Sequence, residues 1–325
     1  MITAQDEACH ICDSRELHWR ESHYFMFYDE AHDLAGFTTM GFQPNEGQCD
    51  AGLLLFRRGR LAYLYPKRDV PFAGSWDHWT VGDLRYELVE PLQSWRITLN
   101  DKRAQADLTF HGVSPVYDYR DNVDTLPASV ATAHYEQAGR VRGTVTIKGQ
   151  PIQVDAVGHR DHSWGVRDWA GPANWKWITA LFDDGVGGLR FALNAWEVLL
   201  QGGERTVNGF VFDGQTNHGL APATRFELEY EGDGRTPRRV ALHLVTDDEL
   251  EYRVTGAPRA LFPLAKHDTI INEQMSEFVL EGAGGDACGY GVIETLWQSR
   301  GTLESARWLL RGGWNLLRAR FASGA

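Results

Sequence analysis

Residues 175–196 read WKWITALFDDGVGGLRFALNAW, and this stretch carries the pattern that decides the fold. Two apolar runs rich in aromatic residues, Trp175–Phe182 and Leu189–Trp196, flank the turn sequence Asp183-Asp184-Gly185. Aspartate and glycine tolerate the positive φ angles that tight hairpin turns require, and the alternating side chains on either side are typical of β-strands. The stretch therefore predicts a hairpin of two antiparallel strands.

The same pattern recurs along the chain. About fifteen short runs rich in β-branched and aromatic residues are separated by turn sequences such as Asn45-Glu46-Gly47, Asp213-Gly214 and Asp233-Gly234. Helical periodicity is almost absent between the runs, which favours antiparallel sheets over βαβ units. Because a small ligand-sized barrel has about eight strands, we expect two barrels or sandwiches in tandem.

One segment has helical periodicity. Apolar side chains recur at helical spacing on one stripe of Thr302–Phe321, while four arginines lie on its other faces. We expect a C-terminal α-helix at 302–321 that caps the second barrel or packs between the two barrels. A membrane-surface role of its basic face is the alternative.

Composition and charge narrow the class of protein. The 325-residue chain has 32 Lys+Arg against 44 Asp+Glu, a formal net charge of −12, which disfavours a nucleic-acid binder. It also has 12 Trp, 11 Tyr and 15 Phe, enough to wall a large apolar cavity or to fill a bulky core.

No signal peptide and no apolar stretch of about 20 residues is visible, so we expect a cytoplasmic protein without integral membrane association. Cys9 and Cys12 form a C-x-x-C that we expect to be reduced thiols, with a metal or redox role as the alternative.

The densest group of polar and aromatic residues is the segment Gly158–Trp169, GHRDHSWGVRDW, which follows the strand run Gln150–Val157. If that strand continues, its period of two divides the side chains between two faces. His159, Asp161 and Ser163 would share one face, and Arg160, His162 and Trp164 the other. Two histidines three residues apart in a strand cannot bind one metal together, so a metal would need ligands from elsewhere, and none is expected.

Proton chemistry is the functional interpretation of this segment. Burial and neighbouring charges could tune His162 to handle a proton, with Asp161 as the acid or as its orienting group. Arg160 would place a substrate oxygen or set the charge of the carboxylate. The structural alternative is a buried network of Arg160, Asp161, Arg167 and Asp168 that closes a barrel mouth, and both interpretations can hold together.

Aromatic residues supply the candidate substrate-binding wall, since aromatic faces can stabilise a developing cation. An equally simple explanation is that the indoles fill a barrel interior. Sequence motifs of hydrolases, P-loop proteins, zinc metalloproteases and Rossmann folds are absent, and Gly289-Tyr290-Gly291 is interpreted as a loop. The candidate binding residues are Glu21, Tyr24, Trp164, Trp175, Trp177, Asn194 and Trp196.

Several of these segments together resemble a known family. They are Trp19-Arg20-Glu21-Ser22 with Tyr24, Pro44-Asn45-Glu46-Gly47, Glu136-Gln137, Gly158–Gly165 and Gly289–Glu294. In that order they resemble the hydroxyneurosporene-synthase-like, or carotenoid 1,2-hydratase-like, proteins. The resemblance implies an all-β fold of two tandem lipocalin-like antiparallel β-barrels of the calycin type, here over residues 1–172 and 173–325. It also implies chemistry without a redox cofactor, and His162 and Trp164 match the family's His-x-Trp site element.

Two hypotheses of different classes follow. The first is a cofactor-independent acid/base enzyme, a hydratase or dehydratase (lyase), isomerase or cyclase, acting on a hydrophobic isoprenoid, steroid-like or aromatic substrate in a barrel cavity. Its expected partner is that hydrophobic small molecule, and the sequence leaves the oligomeric state open. The alternative is a non-catalytic lipocalin-like carrier of a lipophilic small molecule, which would not need the ionisable residues Arg160–His162. A weaker third hypothesis is a peripheral membrane or partner-binding module that acts through the terminal helix.

Overall fold

The computed structural model describes residues 1–310 except 11, 13–14, 73–77, 267, 283–284, 300, 302, 305 and 309. Within this part of the chain, twenty strands form two antiparallel sheets, and 3₁₀ turns occur at Ala4–Glu7, Pro44–Glu46 and Tyr119–Asp121. The strands are β1 Trp19–Asp29, β2 Leu34–Gln43, β3 Gln48–Arg57, β4 Arg60–Pro71, β5 Thr80–Val81, β6 Leu84–Glu90, β7 Ser94–Asn100, β8 Ala104–Gly112, β9 Tyr117–Asp118, β10 Ala133–Ile147, β11 Gln150–Val166, β12 Pro172–Asp183, β13 Leu189–Leu200, β14 Arg205–Phe212, β15 Asn217–Gly219, β16 Arg225–Tyr230, β17 Pro237–Val245, β18 Glu251–Lys266, β19 Thr269–Leu280 and β20 Ala287–Gln298.

Each sheet curls into a barrel-like layer, which confirms the predicted tandem antiparallel lipocalin-like barrels. The first sheet has the order β4-β3-β2-β1-β11-β10-β8-β7-β6-β5, with β9 paired to β10. The second has the order β15-β14-β13-β12-β20-β19-β18-β17-β16. The chain passes from one sheet to the other between Val166 and Pro172, while a domain division at residues 172 and 173 stays a prediction.

Two of the long strands were missing from the sequence-based expectation. Strand β2 was not predicted, and the Gly289-Tyr290-Gly291 segment, expected to be a loop, lies inside β20. A Cβ on Gly291 would lie 1.9 Å from the backbone oxygen of Thr179 on neighbouring β12, so glycine permits a close strand approach there. The glycines that suggested a loop are therefore needed for strand pairing.

The predicted terminal helix is described only at its start. Leu303, Glu304, Ala306–Trp308 and Leu310 are helical, and the remainder of 302–321 lies outside the described residues. Trp308 is buried against Trp297 of β20, so the described part of the helix packs on the second sheet. Among the described residues, no helix is long and apolar enough to cross a membrane.

The three largest apolar clusters of the described residues fill the two barrels and the space between them. One lies inside the first barrel and contains Phe25 and Phe110, and a second lies inside the second barrel and contains Ile178 and Phe182. The third combines residues of both sheets, such as Phe37 and Trp177, and joins the barrels. Because side chains alternate along a strand, the central strands bury one face in a barrel and the other face between the barrels.

Candidate active site

A cavity of about 570 Å³ lies between the two barrels. Its walls come from β1–β4, β10 and β11 on one side and from β12, β13 and β18–β20 on the other. The volume is in the range of about 300–1,000 Å³ that is usual for small-molecule sites. The seam between the barrels, rather than a barrel interior, therefore holds the candidate active site.

Strand register arranges the first wall in rungs, by which we mean residues that lie side by side across neighbouring strands. β11 runs unbroken from Gln150 to Val166, so Asp161 and Ser163 face the cavity, as the period of two predicted. Two residues along a strand correspond to about 7 Å, which is the spacing of successive rungs. The serine rung is His134, Ser163, Ser22, Gly41 and Asp50; the acid rung is Glu136, Asp161, Tyr24, Thr39, Gly52 and Pro66; and the apolar rung is Phe37, Leu54 and Leu64.

The second wall carries a matching row. Trp196, Trp177, Glu294, Glu273 and Phe262 are register neighbours across five strands, and we call them the glutamate rung. All five line the cavity. Trp177 Nε1 donates a hydrogen bond of 2.8 Å to Glu136 Oε1, which places the glutamate rung opposite the acid rung. Carboxyl groups from both barrels therefore meet across one cavity.

The surroundings of Asp161 favour its protonated form. Asp161 is half-buried, and it lines the cavity. Burial raises the pKa of Asp161 well above its ordinary value, and the negative charge of Glu136, its register partner, raises this pKa further. A carboxyl that stays protonated near neutral pH can act as a general acid.

Glu273 and Glu294 form a coupled carboxyl pair directly across β19 and β20. Burial raises the pKa of both residues, and the Glu294 charge raises that of Glu273 further. Glu294 also accepts a hydrogen bond of 2.6 Å from Trp175 Nε1, which favours its ionised form. Two buried carboxyls side by side do not readily ionise together, so the pair holds a proton.

Glu136 is the ionised neighbour that keeps Asp161 protonated. It accepts hydrogen bonds from His134 Nε2 at 2.8 Å, from Trp177 and from His159 Nε2. Although burial opposes ionisation, the charge of His159 and these hydrogen bonds hold the pKa of Glu136 at about 2. Two adjacent carboxyls are therefore driven to opposite protonation states by their surroundings.

Replacing Glu136 with Gln is expected to change how the free energy of unfolding depends on pH below neutrality. Because its pKa falls from 4.5 to about 2 on folding, Glu136 stabilises the wild type fully above pH 4.5 and loses this contribution as pH falls towards 2. Urea unfolding between neutral pH and about pH 3 should therefore show a steeper loss for the wild type than for Glu136→Gln. Glu90→Gln, at an exposed glutamate, is the matched control. Equal slopes for the wild type and Glu136→Gln would contradict the assignment.

The structure brings together only part of the predicted site. Asp161, Tyr24, Trp175, Trp177 and Trp196 line the cavity. The other predicted residues do not line it: Arg160, His162, Trp164, Glu21 and Asn194. Four of these five occupy the opposite face of β1 and β11, and Asn194 is buried against Tyr119, which donates a hydrogen bond to it.

The opposite face of β11 belongs to a buried polar network inside the first barrel. Arg160 is fully buried and donates hydrogen bonds to both carboxylate oxygens of Glu7, at 2.8 and 3.1 Å. His162 Nε2 lies 2.9 Å from Glu21 Oε1, and its Nδ1 lies 3.2 Å from the Tyr135 hydroxyl. Arg160 thus forms an ion pair with Glu7, and His162 contacts the Glu21 carboxylate. Both contacts lie on the side of the sheet away from the cavity. The structural alternative above placed Arg160 in a network with Asp161, Arg167 and Asp168; its ion-pair partner is instead Glu7.

Sequence reasoning missed Glu136, Glu273 and Glu294 as site residues. Glu136 and Glu294 stood inside segments that carried the family resemblance, and Glu273 lies in a run where every residue from 269 to 276 is buried. A charged residue in the middle of a buried strand is a signal of function, because its burial is costly. The sequence alone did not show that this strand is buried on both faces.

Two clusters have the spacing of metal ligands. They are His10 with Glu21 and His162, and His134 with Glu136 and Asp161; within each, one ligand atom per residue lies within 4.8 Å of the others. The first cluster offers two imidazoles and a carboxylate, and the second offers one imidazole and two carboxylates; such nitrogen and oxygen donors suit a transition metal such as zinc or iron. In this structure Glu21 and Glu136 each accept hydrogen bonds from two imidazoles.

A family assignment follows from comparison with known sequences. The model of DUF7064, a domain of unknown function, matches residues 3–299. The chain belongs to this family. No curated protein matches it significantly. Membership of the hydroxyneurosporene-synthase-like proteins stays a prediction.

Solved structures share the fold of this DUF7064 member. A Nitrosomonas europaea protein provisionally described as AttH has a TM-score of 0.66 and 15% identity, with 91% of this chain and 96% of that chain covered. CghA with Sch210972 has a TM-score of 0.63 and 15% identity, with 91% and 95% covered. Kievitone hydratase from Nectria haematococca has a TM-score of 0.60 and 13% identity, with 88% and 90% covered. At these identities the likeness shows the tandem-barrel architecture.

Proposed function

We propose that this protein is a cofactor-independent acid/base enzyme that protonates or deprotonates a carbon centre of a hydrophobic substrate held between the two barrels. The carrying observation is that Asp161, whose pKa is raised well above its ordinary value, faces the Glu273–Glu294 pair across one cavity, and that Glu294 of this pair accepts a hydrogen bond from Trp175. Hydratase or dehydratase, isomerase and cyclase reactions can all use one carboxyl that gives a proton and a second that accepts one. An isoprenoid, steroid-like or aromatic skeleton suits the aromatic walls.

In the hydration direction, the Asp161 carboxyl donates its proton to one alkene carbon, and the π electrons form the new C–H bond. The cationic carbon that results lies among the faces of Trp177 and Trp196, which stabilise positive charge. Water then forms a C–O bond, and Glu294 accepts the proton that the water loses. Dehydration is the reverse, and an isomerisation results when Glu294 instead removes a proton from the adjacent carbon.

We assign the acid role to Asp161 rather than to His162. A proton from His162 would have to cross the sheet, because His162 points into the first barrel. Arg160, with both terminal guanidinium nitrogens on Glu7, likewise has no path to a substrate oxygen in the cavity. We therefore propose that these two residues stabilise β11 from inside the first barrel, on the face opposite to Asp161.

The name of one structural neighbour supports this proposal. Kievitone hydratase shares the tandem-barrel fold and by its name adds water to an organic compound. Fold alone does not determine chemistry, so the argument rests on the carboxyls rather than on the neighbour. A cytoplasmic location, predicted from the sequence, fits such an enzyme and stays a prediction.

Incubation of the protein with a hydrophobic cell extract in D₂O tests the proposal. Asp161 exchanges its proton for deuterium, so a compound that is hydrated, isomerised or cyclised by protonation gains a non-exchangeable C–D bond. Mass spectrometry should detect such a compound, or a pair that differs by water, only when active protein is present. Native mass spectrometry of the same sample identifies what is bound.

The carrier hypothesis gives a different result. A carrier would bind a lipophilic compound and release it without deuterium and without a change in mass. That outcome, with a bound compound visible by native mass spectrometry, would overturn the enzymatic proposal.

A further inference from the structure

The cavity changes in polarity along β1 and β11. Beyond the acid rung on one side lies the apolar rung, with Phe37, Leu54 and Leu64. Beyond it on the other side lie the hydroxyls of Ser22 and Ser163, which are 3.2 Å apart. A ligand that spans the cavity is therefore expected to have an apolar end and a polar end.

At the polar end, the Arg167 guanidinium has no anionic partner in contact. Its Nε donates to the backbone oxygen of Val130 at 2.9 Å, and its Nη2 donates to Ser163 Oγ at 3.0 Å. Among the described residues no carboxylate forms an ion pair with it; Asp161 and Glu294 act on it only through space. Arg167 is half-buried. A cation that is partly removed from water without a counter-ion is costly, and an anionic ligand would relieve that cost.

A second guanidinium reinforces this charge. Arg20 precedes the serine rung on β1, packs over Gly41, where a Cβ would lie 2.3 Å from its Nη2, and pairs with Asp50 at 3.3 Å. Burial and the charge of Arg20 lower the pKa of Arg167 to about 10, so Arg167 is still protonated at neutral pH. Of these two arginines, only Arg20 forms an ion pair among the described residues.

Further cationic side chains line the cavity. Lys67 and Arg68 join the two arginines described above in its lining. Five carboxyl groups also line it, but the pKa values of three of them, Asp161, Glu273 and Glu294, are raised. The lining is therefore less negative than its number of carboxyl groups implies, and its four cations are expected to attract anions.

We propose that Arg167, with Ser163 and Arg20 beside it, binds an anionic oxygen group of the substrate, so that the substrate is an apolar skeleton bearing a carboxylate or an equivalent oxyanion. This inference rests on the proposed function, because it takes the cavity to be the substrate site. It also sets a position. Arg167 contacts Ser163, which lies one rung, about 7 Å along β11, from Asp161, so we expect the anionic group one rung away from the carbon that is protonated.

The indole of Trp169 completes the subsite. The Arg167 guanidinium lies over this ring, 5.3 Å from its centroid, and Trp169 in turn contacts Trp175 at 6.1 Å between centroids. Stacking on an aromatic face fixes the plane of a guanidinium and leaves its edge for a bidentate contact. Arginine, more than lysine, is suited to this position.

Two fluorescent probes with one aromatic skeleton test the anion subsite without any turnover. 1-Anilinonaphthalene-8-sulfonate carries an anionic group that N-phenyl-1-naphthylamine lacks. We expect the wild type to bind the sulfonate roughly 10- to 100-fold more tightly, the usual value of a charge-assisted hydrogen bond. Arg167→Gln should remove this preference and leave the affinity for the neutral probe unchanged.

Further variants keep the result interpretable. Arg167→Lys keeps the charge but not the fork of donors, and should retain an intermediate preference, whereas Arg60→Met, at an exposed arginine, should behave as the wild type. Near-ultraviolet circular dichroism reports whether each variant is folded. If Arg167→Gln does not fold, the affinities of the wild type for the two probes decide whether the anion subsite exists. Equal affinities of the wild type for both probes, or an unchanged preference in folded Arg167→Gln, would overturn the inference. Deuterium incorporation that persists in that case would leave the proposed function intact.

Discussion

Asp161→Asn is expected to lower turnover by roughly 10²- to 10⁴-fold, the usual contribution of a general acid. Asparagine has nearly the same shape as a protonated aspartic acid and can still donate a hydrogen bond, but it cannot release a proton to carbon. Binding of the neutral naphthylamine probe should therefore persist while the appearance of deuterium in the product ceases. Steady-state rates and the D₂O experiment measure the two effects separately.

Matched variants locate the proton donor. Asp107→Asn, at an exposed aspartate paired with Arg96 on the same sheet, should leave the rate unchanged. His162→Gln examines the residue that the sequence favoured, and on the present geometry it should affect stability more than proton transfer. If His162→Gln abolished deuterium incorporation in a folded protein and Asp161→Asn did not, the assignment of the acid would be reversed.

Glu7→Gln is expected to destabilise the protein by about 3–5 kcal/mol, because it leaves the Arg160 guanidinium buried without a counter-charge. Both residues have no exposed side-chain surface. Glu7 also accepts hydrogen bonds from the backbone of Leu92 and from Trp95 Nε1, and it thereby fixes the N-terminal 3₁₀ turn onto the first barrel. Urea unfolding at neutral pH measures the loss.

A double variant separates charge from packing. Glu7→Met combined with Arg160→Met removes both charges, and it should recover part of the stability that either single change loses. Asp107→Asn, which breaks an exposed ion pair, should cost no more than about 1 kcal/mol. A loss of similar size for Glu7→Gln would show that Arg160 does not depend on this ion pair, and would reopen its predicted role at a substrate oxygen.

The sequence predicted several features of the site because they depend on local geometry. The alternation along β11 separates Asp161 and Ser163 from Arg160 and His162, whatever the partners of the strand are. The aromatic runs at Trp175–Trp196 predicted a hairpin, and three of their tryptophans do line the cavity. The sequence could not show which face of β11 meets the substrate, since both faces of that strand are buried.

The sequence by itself determined the antiparallel all-β class, the two faces of β11 and the aromatic character of the binding wall, because strand periodicity and turn chemistry are local properties. Only the tertiary structure decided that the cavity lies between the barrels. It also decided that Glu136 and Glu294, separated by nearly half of the chain, bear on Asp161 and Arg167. The protonation states of these carboxyls arise from burial and from charges that are remote in sequence, and both exist only after the two sheets have packed together.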